Sequence, residues 1–446
     1  MKRLIYLSIF LLLILGACKK FLDAKSNQSQ AIPETLTDLQ ALLDHYQWLN
    51  YSDGPAAEIS TDDVYLTDAD LAARPENERN MYTWQRRNIF VQDSGDWLYN
   101  YRAIYRSNVV LESVLKIDKN PGNASQWDNI SGQAYFIRAK NHLRGLYIWG
   151  NAYNEQSPND PGIPLKLTSD FNEPSTRATV AAGYAQVVAD LKKAIAMLPL
   201  KAVHVMRPSK PAAYGLLART YWSMRKYDLA LSYADSALML KSDLLDYNLL
   251  NAAATYPLTQ FNAEVMQDSY TSSSVLSNTR AKVNPSLYAL YETNDLRKTI
   301  FFNDNKNGTY GFKGSYEGNS NLFSGLAVNE ILLIRSECLA RMGRLSEALA
   351  DLNRLLINRY RKNTFIEKTG TDQIKILDEI LSERKKELLL RGLRWIDVKR
   401  LNLEHAGISF TRTYKGTVFN LNANSSGFAL PIPERVIELA DLEQNP

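Results

Sequence analysis

The sequence predicts a mainly α fold, in which antiparallel helical hairpins form a scaffold and long irregular insertions interrupt it. Three observations predict this. Between Tyr214 and Ala237, the residues Tyr214, Leu217, Ala218, Tyr221 and Ala230 recur at helical spacing, with Ala234 and Ala237 one and two turns on. Small residues there let two helices approach closely, and the large ones fill the gaps between turns. Leu332 to Leu355 repeats the pattern through Leu332, Ser336, Leu339, Ala348, Leu352 and Leu355, with Gly343 at the turn. One such hairpin cannot bury its own apolar face and needs neighbours stacked on it. The two copies lie far apart, so insertions must separate them.

The spacing is that of the tetratricopeptide pattern. In chain order, Thr35 to Trp48 has apolar residues at helical spacing (Leu36, Leu39, Leu42, Leu43, Tyr46), and Thr35 or Thr37 is placed to cap it. Residues 50–80 are polar and turn-rich. Trp97 to Leu115 and Ser131 to Trp149 read as helices, and Gly150 is expected to end the second as a left-handed cap. Val180 to Leu198 is a helix stopped by Pro199. In the central hairpin, Lys226-Tyr227-Asp228 supplies the turn. Gly308 to Gly318 is a glycine-aromatic stretch, suited to tight turns or to a hairpin that displays its rings. Ile374 to Leu390 is a further helix, closed by Gly392. Trp97, Trp149 and Trp395 read as core. Glu383 and Glu387, four apart among Arg384, Lys385 and Lys386, read as a salt-bridged helix.

With 446 residues, 45% of them hydrophobic, the chain can bury a large core. The net charge is +4 without a dense basic stripe, which argues against nucleic acid as a partner. The four histidines, His45, His142, His204 and His405, have no metal spacing. No Gly-x-Ser-x-Gly elbow or phosphate loop is present. The adjacent carboxylates Asp62 and Asp63 do not form a hydrolytic pair, because neighbours in sequence point apart and glycoside cleavage needs two carboxyls facing across one bond. No cofactor is implied, and nothing in this Asp-rich loop requires a calcium ion.

Lys2 and Arg3 precede an apolar run from Leu4 to Leu15, followed by Leu15-Gly16-Ala17-Cys18. A basic start, a run too short to span a bilayer and a small-residue exit describe a secretory leader. Cysteine directly after Gly-Ala resembles a bacterial lipobox, with Cys18 the first mature and acylated residue. More than one acyl chain there would anchor the protein stably. Residues 1–17 are therefore expected to be a signal peptide, 18–33 a tether and 34–446 one domain. Its hairpins cover about 97–150, 180–240 and 328–393, and its ligand-loop insertions about 50–96 and 251–325. Cys338, the other cysteine, reads as a small buried hydrophobe.

Six segments together resemble the SusD/RagB family of Bacteroidetes outer-membrane lipoproteins. They are Cys18 to Asp23; Gln133 to Ala139 with Tyr147 to Gly150; Pro211 to Tyr221; Asn329 to Glu337; Glu383 to Leu388 with Gly392 to Asp397; and Leu430 to Pro433 with Gln444 to Pro446. Arg391 departs from the glutamate usual before the glycine, and the stretch before Asn329 lacks the usual Arg-Tyr lead. The resemblance implies a SusD-like fold and a non-enzymatic, surface-exposed receptor on the outer membrane. Such a receptor would deliver a glycan or similar nutrient to a SusC-like TonB-dependent transporter. A helical scaffold that binds a protein or peptide, or a surface glycoside hydrolase, is the alternative.

Sugar rings present flat C–H faces and many hydroxyls, so a receptor needs aromatic platforms and fixed polar groups, which concentrate on loops over a rigid frame. Two segments fit. The first, opening at Asp62, holds Asp63, Tyr65, Asp68, Tyr82 and Trp84. The second holds Tyr270, Tyr310 and Tyr316, with Phe312 between the last two. Tyr65 and Asp68 are favoured by what related receptors do just after a Thr-Asp-acid turn.

Overall fold

The computed structural model describes residues 33–91 and 95–446; the expected leader, Cys18 and nearly all of the tether lie outside the described residues. The fold is mainly helical. Near the start come α1 (Leu36–Leu43), α2 (Tyr46–Leu49) and α3 (Ala56–Ile59). Thr35 caps α1 reciprocally: its hydroxyl accepts from the Asp38 amide at 3.1 Å, and its own amide donates to the Asp38 carboxylate at 3.0 Å. The frame is then α4 (Asp96–Val114), α5 (Ala124–Trp149), α6 (Val180–Met197), α7 (Lys210–Ser223), α8 (Tyr227–Leu240), α9 (Val328–Arg341), α10 (Leu345–Leu356), α11 (Gln373–Glu387) and α12 (Arg394–Asn402). From α4 to α9 each helix packs on the next, and α10 and α11 both pack on α9. Trp149, Trp222 and Trp395 are fully buried between them, Cys338 is buried, and Trp97 is half-buried at the edge.

Gly343 and Gly392 take the left-handed φ expected of helix-ending glycines, +76° and +73°. Gly150 does not. Its backbone is extended (φ −96°), and the position suits glycine because a Cβ would meet the Leu146 carbonyl at 3.0 Å. The central turn is also displaced: Arg225 takes the left-handed conformation (φ 60°), and Tyr227 is already the first residue of α8.

The strands in the insertions are short. β1 (Val64–Tyr65) pairs antiparallel with β2 (Lys282–Val283), tying the first insertion to the second. β3 (Phe302–Asp304) and β4 (Tyr310–Phe312) form one hairpin, and β5 (Phe410–Tyr414) and β6 (Thr417–Leu421) another near the C-terminus.

A buried ionic cluster fastens the second insertion to the frame. Arg297 donates to Asp295 (2.7 Å), Glu383 (2.7 Å) and Glu387 (3.0 Å). Arg359 donates to Glu387 (2.9 Å) and Glu264 (2.6 Å), and Lys386 to Glu383 (2.7 Å). All are buried. The salt-bridged helix is present through Lys386 and Glu383, but Glu383 and Glu387 also point inward and take guanidiniums from elsewhere in the chain. Burial alone would raise the Glu387 carboxyl, but Arg359 and Arg297 hold it below the ordinary range. Arg391 extends the cluster, donating to Asn329 Oδ1 at 3.1 Å and lying 3.9 Å over the Tyr316 ring.

Candidate functional site

The eight sequence-predicted residues fall into three places. The first is interior. Asp62 Oδ1 accepts from Arg394 at 2.7 Å and Oδ2 from Lys385 at 3.0 Å, which turns the chain so that Asp63 points inward and is buried. Burial raises the Asp63 carboxyl to about 6, and the charge of Asp62 adds to this. The Tyr82 hydroxyl accepts from the Leu66 amide at 3.0 Å, and Trp84 Nε1 donates to the Ser60 carbonyl at 3.0 Å. Arg412, from β5, lies 3.7 Å over Tyr82 and 4.7 Å over Trp84. Its guanidinium donates to the carbonyls of Ile59, Thr61 and Tyr82. Asp63 and Tyr82 are thus packing residues under the β5–β6 hairpin, a correction to the sequence expectation, and Trp84 is half-buried beside them with one face under Arg412. Tyr316 is corrected likewise: it is fully buried, with its hydroxyl on Glu264 and Asn329.

Second, some predicted residues remain accessible. Tyr65 is half-exposed on β1 opposite Lys282, and exposed Asp68 accepts from the Lys415 amide of the β5–β6 turn at 3.2 Å. Tyr310 stacks on Tyr288 with ring centroids 3.7 Å apart and planes at 11°.

The third place combines rings with polar groups. Tyr270 stacks on Tyr51 at 4.2 Å and 22°, and Tyr46 meets Tyr51 edge-on at 5.1 Å. Tyr46 projects from α2 and is 44% exposed; Tyr51 and Tyr270 are half-buried. Beneath them Gln260 Nε2 donates to the Tyr51 hydroxyl (3.1 Å) and to Glu317 (2.8 Å). Asn50 Nδ2 donates to the Asp268 carbonyl at 2.6 Å, fixing the loop that carries Tyr270. Buried Asp268 and Glu317 influence each other here. Burial raises Asp268 to about 6; burial and then the charge of Asp268 raise Glu317 to about 9. Near neutral pH the pair therefore holds a proton, so the floor of the site both donates and accepts hydrogen bonds. Of this cluster the sequence expectation named Tyr270 and not Tyr46, Tyr51 or Gln260, which the structure places with it. Tyr51 is 209 residues from Gln260, and no local pattern signals such a pairing. Among the described residues, no group of three or more His, Cys, Asp or Glu side chains is placed to hold a metal ion.

A stacked helical frame whose insertions display tyrosines over polar groups has the layout of a ligand-binding protein. Residues 20–222 match a family model, SusD-like, described as starch-binding and associating with the outer membrane, and residues 253–446 match the SusD/RagB family model. The chain belongs to the SusD/RagB family. Solved structures agree in fold. A SusD superfamily protein from Bacteroides thetaiotaomicron aligns with a TM-score of 0.75 at 20% identity, covering 92% of this chain and 100% of its own. One from Bacteroides vulgatus gives 0.75 at 19%, covering 93% and 99%. A SusD-like carbohydrate binding protein from Bacteroides vulgatus gives 0.69 at 19%, covering 91% and 96%. Among curated proteins there is no match.

Proposed function

We propose that the protein is a lipid-anchored receptor of the outer-membrane surface that binds an oligosaccharide and passes it to a SusC-like TonB-dependent transporter. The observation that carries this reading is the Tyr46–Tyr51–Tyr270 platform above Gln260: flat faces for sugar rings, with hydroxyl-complementary groups at their rim. The family description, starch-binding and associating with the outer membrane, supports the ligand class and the membrane. Tyr65, Asp68 and Tyr310 extend the binding surface in this proposal. The commitment of Asp62 to Arg394 and Lys385, and the burial of Asp63, support binding without cleavage. Among the described residues no helix is long and apolar enough to cross a membrane; attachment is assigned to acylated Cys18.

Protein beginning at residue 19 tests this by affinity electrophoresis through gels that each hold one polysaccharide, with reducing-sugar release measured alongside. At least one glycan should retard the wild type without being cleaved, and Tyr270→Ala should weaken that retention at least about tenfold, the scale of one lost stacking contact with its hydrogen bonds. Released sugar, or unchanged retention of Tyr270→Ala, overturns the reading.

A further inference from the structure

The exposed side of α4 carries a second constellation that the tyrosine platform does not use. Trp97, Tyr101 and Tyr105 are four residues apart, so their rings climb one face at about 6 Å per step. Trp97 and Tyr101 are 4.6 Å apart at 30°. The loop after Pro164 folds over this row and lays Phe171 on Tyr105, 4.7 Å apart and at 28°. Phe171 is 80% exposed. A phenylalanine so exposed would ordinarily be free to turn away, but its loop is braced. Asn108 donates to the carbonyls of Lys166 (3.0 Å) and Thr168 (2.8 Å), Glu112 accepts from the Ser169 amide (2.6 Å), and Lys166 donates to the Glu173 carbonyl (2.8 Å). Between the rings and Lys166, Ser169 and Asp170 lies an open depression of about 260 Å³.

One helical step round from Tyr101 and Tyr105 stand Arg102 and Arg106, on adjacent turns. Both guanidiniums lie over Trp48, at 4.2 and 4.1 Å. Neither has a carboxylate partner among the described residues. Arg106 reaches only the Leu42 carbonyl at 3.4 Å, and Arg102 Nε is buried without a hydrogen-bond partner. On the neighbouring helix the rule is the opposite: Arg138 is paired with Asp190 at 2.8 Å and Arg144 with Asp53 at 2.7 Å. Burial lowers the pKa of both Arg102 and Arg106, and the charge of Arg102 lowers that of Arg106 further. Two like charges held together on an indole, with no counter-charge, form a preorganised seat for an anion.

We propose that this face of α4 is a second glycan subsite, selective for sugars bearing a carboxylate or sulfate. The sugar ring lies against Tyr105 and Phe171, and its acid group, or that of the next unit, is taken by Arg102 and Arg106. The proposal rests on the glycan-receptor reading and narrows its ligand to acidic polysaccharides. Aromatic faces beside the guanidiniums favour a sugar over a lipid phosphate or a free ion, which offer no ring to stack.

Affinity electrophoresis with polygalacturonate and chondroitin sulfate, against neutral starch and xylan, tests it using wild type, Arg102→Gln/Arg106→Gln and Phe171→Ala. At least one acidic polysaccharide should retard the wild type. The double variant should lower the ratio of acidic to neutral affinity about tenfold, and Phe171→Ala should weaken acidic retention several-fold. Phe171 projects into solvent, so its removal leaves the fold intact, and matching thermal melts verify this. Wild type retained only by neutral glycans, or a double variant whose ratio stays within about twofold, overturns the proposal while the receptor reading stands. No retention by any glycan removes both. Sodium sulfate binding as tightly as the polysaccharide, or phosphatidylglycerol vesicles bound through the same arginines without glycan binding, also overturns it.

Discussion

Replacing Glu387 by glutamine probes the clamp between the second insertion and the helical frame. The carboxylate accepts from Arg359 at 2.9 Å, Arg297 at 3.0 Å and Asn329 at 2.8 Å, and every partner is buried. Glutamine keeps the volume but removes the charge, and its NH₂ must then face a guanidinium or the Asn329 amide. Arg297 retains Asp295 and Glu383, and Arg359 retains Glu264, so neither arginine is wholly orphaned. Removing one partner of a buried ion pair costs about 3–5 kcal/mol, and the remaining carboxylates place this case near the lower end, at about 3 kcal/mol. A chain of this length shifts by roughly 1–2 °C per kcal/mol, so Tm should fall by about 3–6 °C. The denaturant midpoint followed by tryptophan fluorescence should fall in parallel. Limited proteolysis should cut the exposed turn between β3 and β4 earlier than in wild type. A loss under about 1 kcal/mol, with unchanged proteolysis, would refute the claim that this cluster holds the insertion.

Trp84→Ala should cost about 2–4 kcal/mol, because it removes a half-buried ring, a hydrogen bond and a face under Arg412; a melting temperature within 1 °C of wild type would return Trp84 to the candidate ligand residues. Glu317→Gln should flatten the pH dependence of stability. The Glu317 carboxyl is raised from the ordinary 4.5 to about 9, so the folded state holds its proton between those values while the unfolded state does not. That stability is complete below about 4.5 and is lost as pH rises through about 9, by at most roughly 1.4 kcal/mol per pH unit. The variant should therefore lose less stability than wild type between pH 5 and 9 in urea titrations, and parallel curves would refute the assignment. Cys18→Ser should release the protein from membranes into the soluble fraction; continued sedimentation with membranes would end the acyl-anchor proposal.

The helical frame was legible because its signal is local. Apolar and small residues at 3.6-residue spacing place Tyr221, Ala230, Leu339 and Ala348 in the core without knowledge of any partner. The site was legible only in part. Tyr270 could be named because aromatic residues on an insertion invite the reading, but its neighbours Tyr46 and Tyr51 lie more than 200 residues earlier, on α2 and at the start of the first insertion. Tyr82 carries the same local signal as Tyr270 and is nevertheless interior, with Trp84 half-buried beside it, because Arg412 closes over both from the far end of the chain. The inward turn of Glu383 and Glu387 shows only once Arg297 and Arg359 are placed. In each case the deciding contact is long-range, and periodicity carries no information about it.

Arg412 and the Tyr82 carbonyl it binds are 330 residues apart. A polypeptide made amino end first presents the Tyr82–Trp84 aromatics long before the hairpin that covers them. Until then those rings lack that cover, so the order of synthesis sets a defined interval in which this segment is exposed to aggregation.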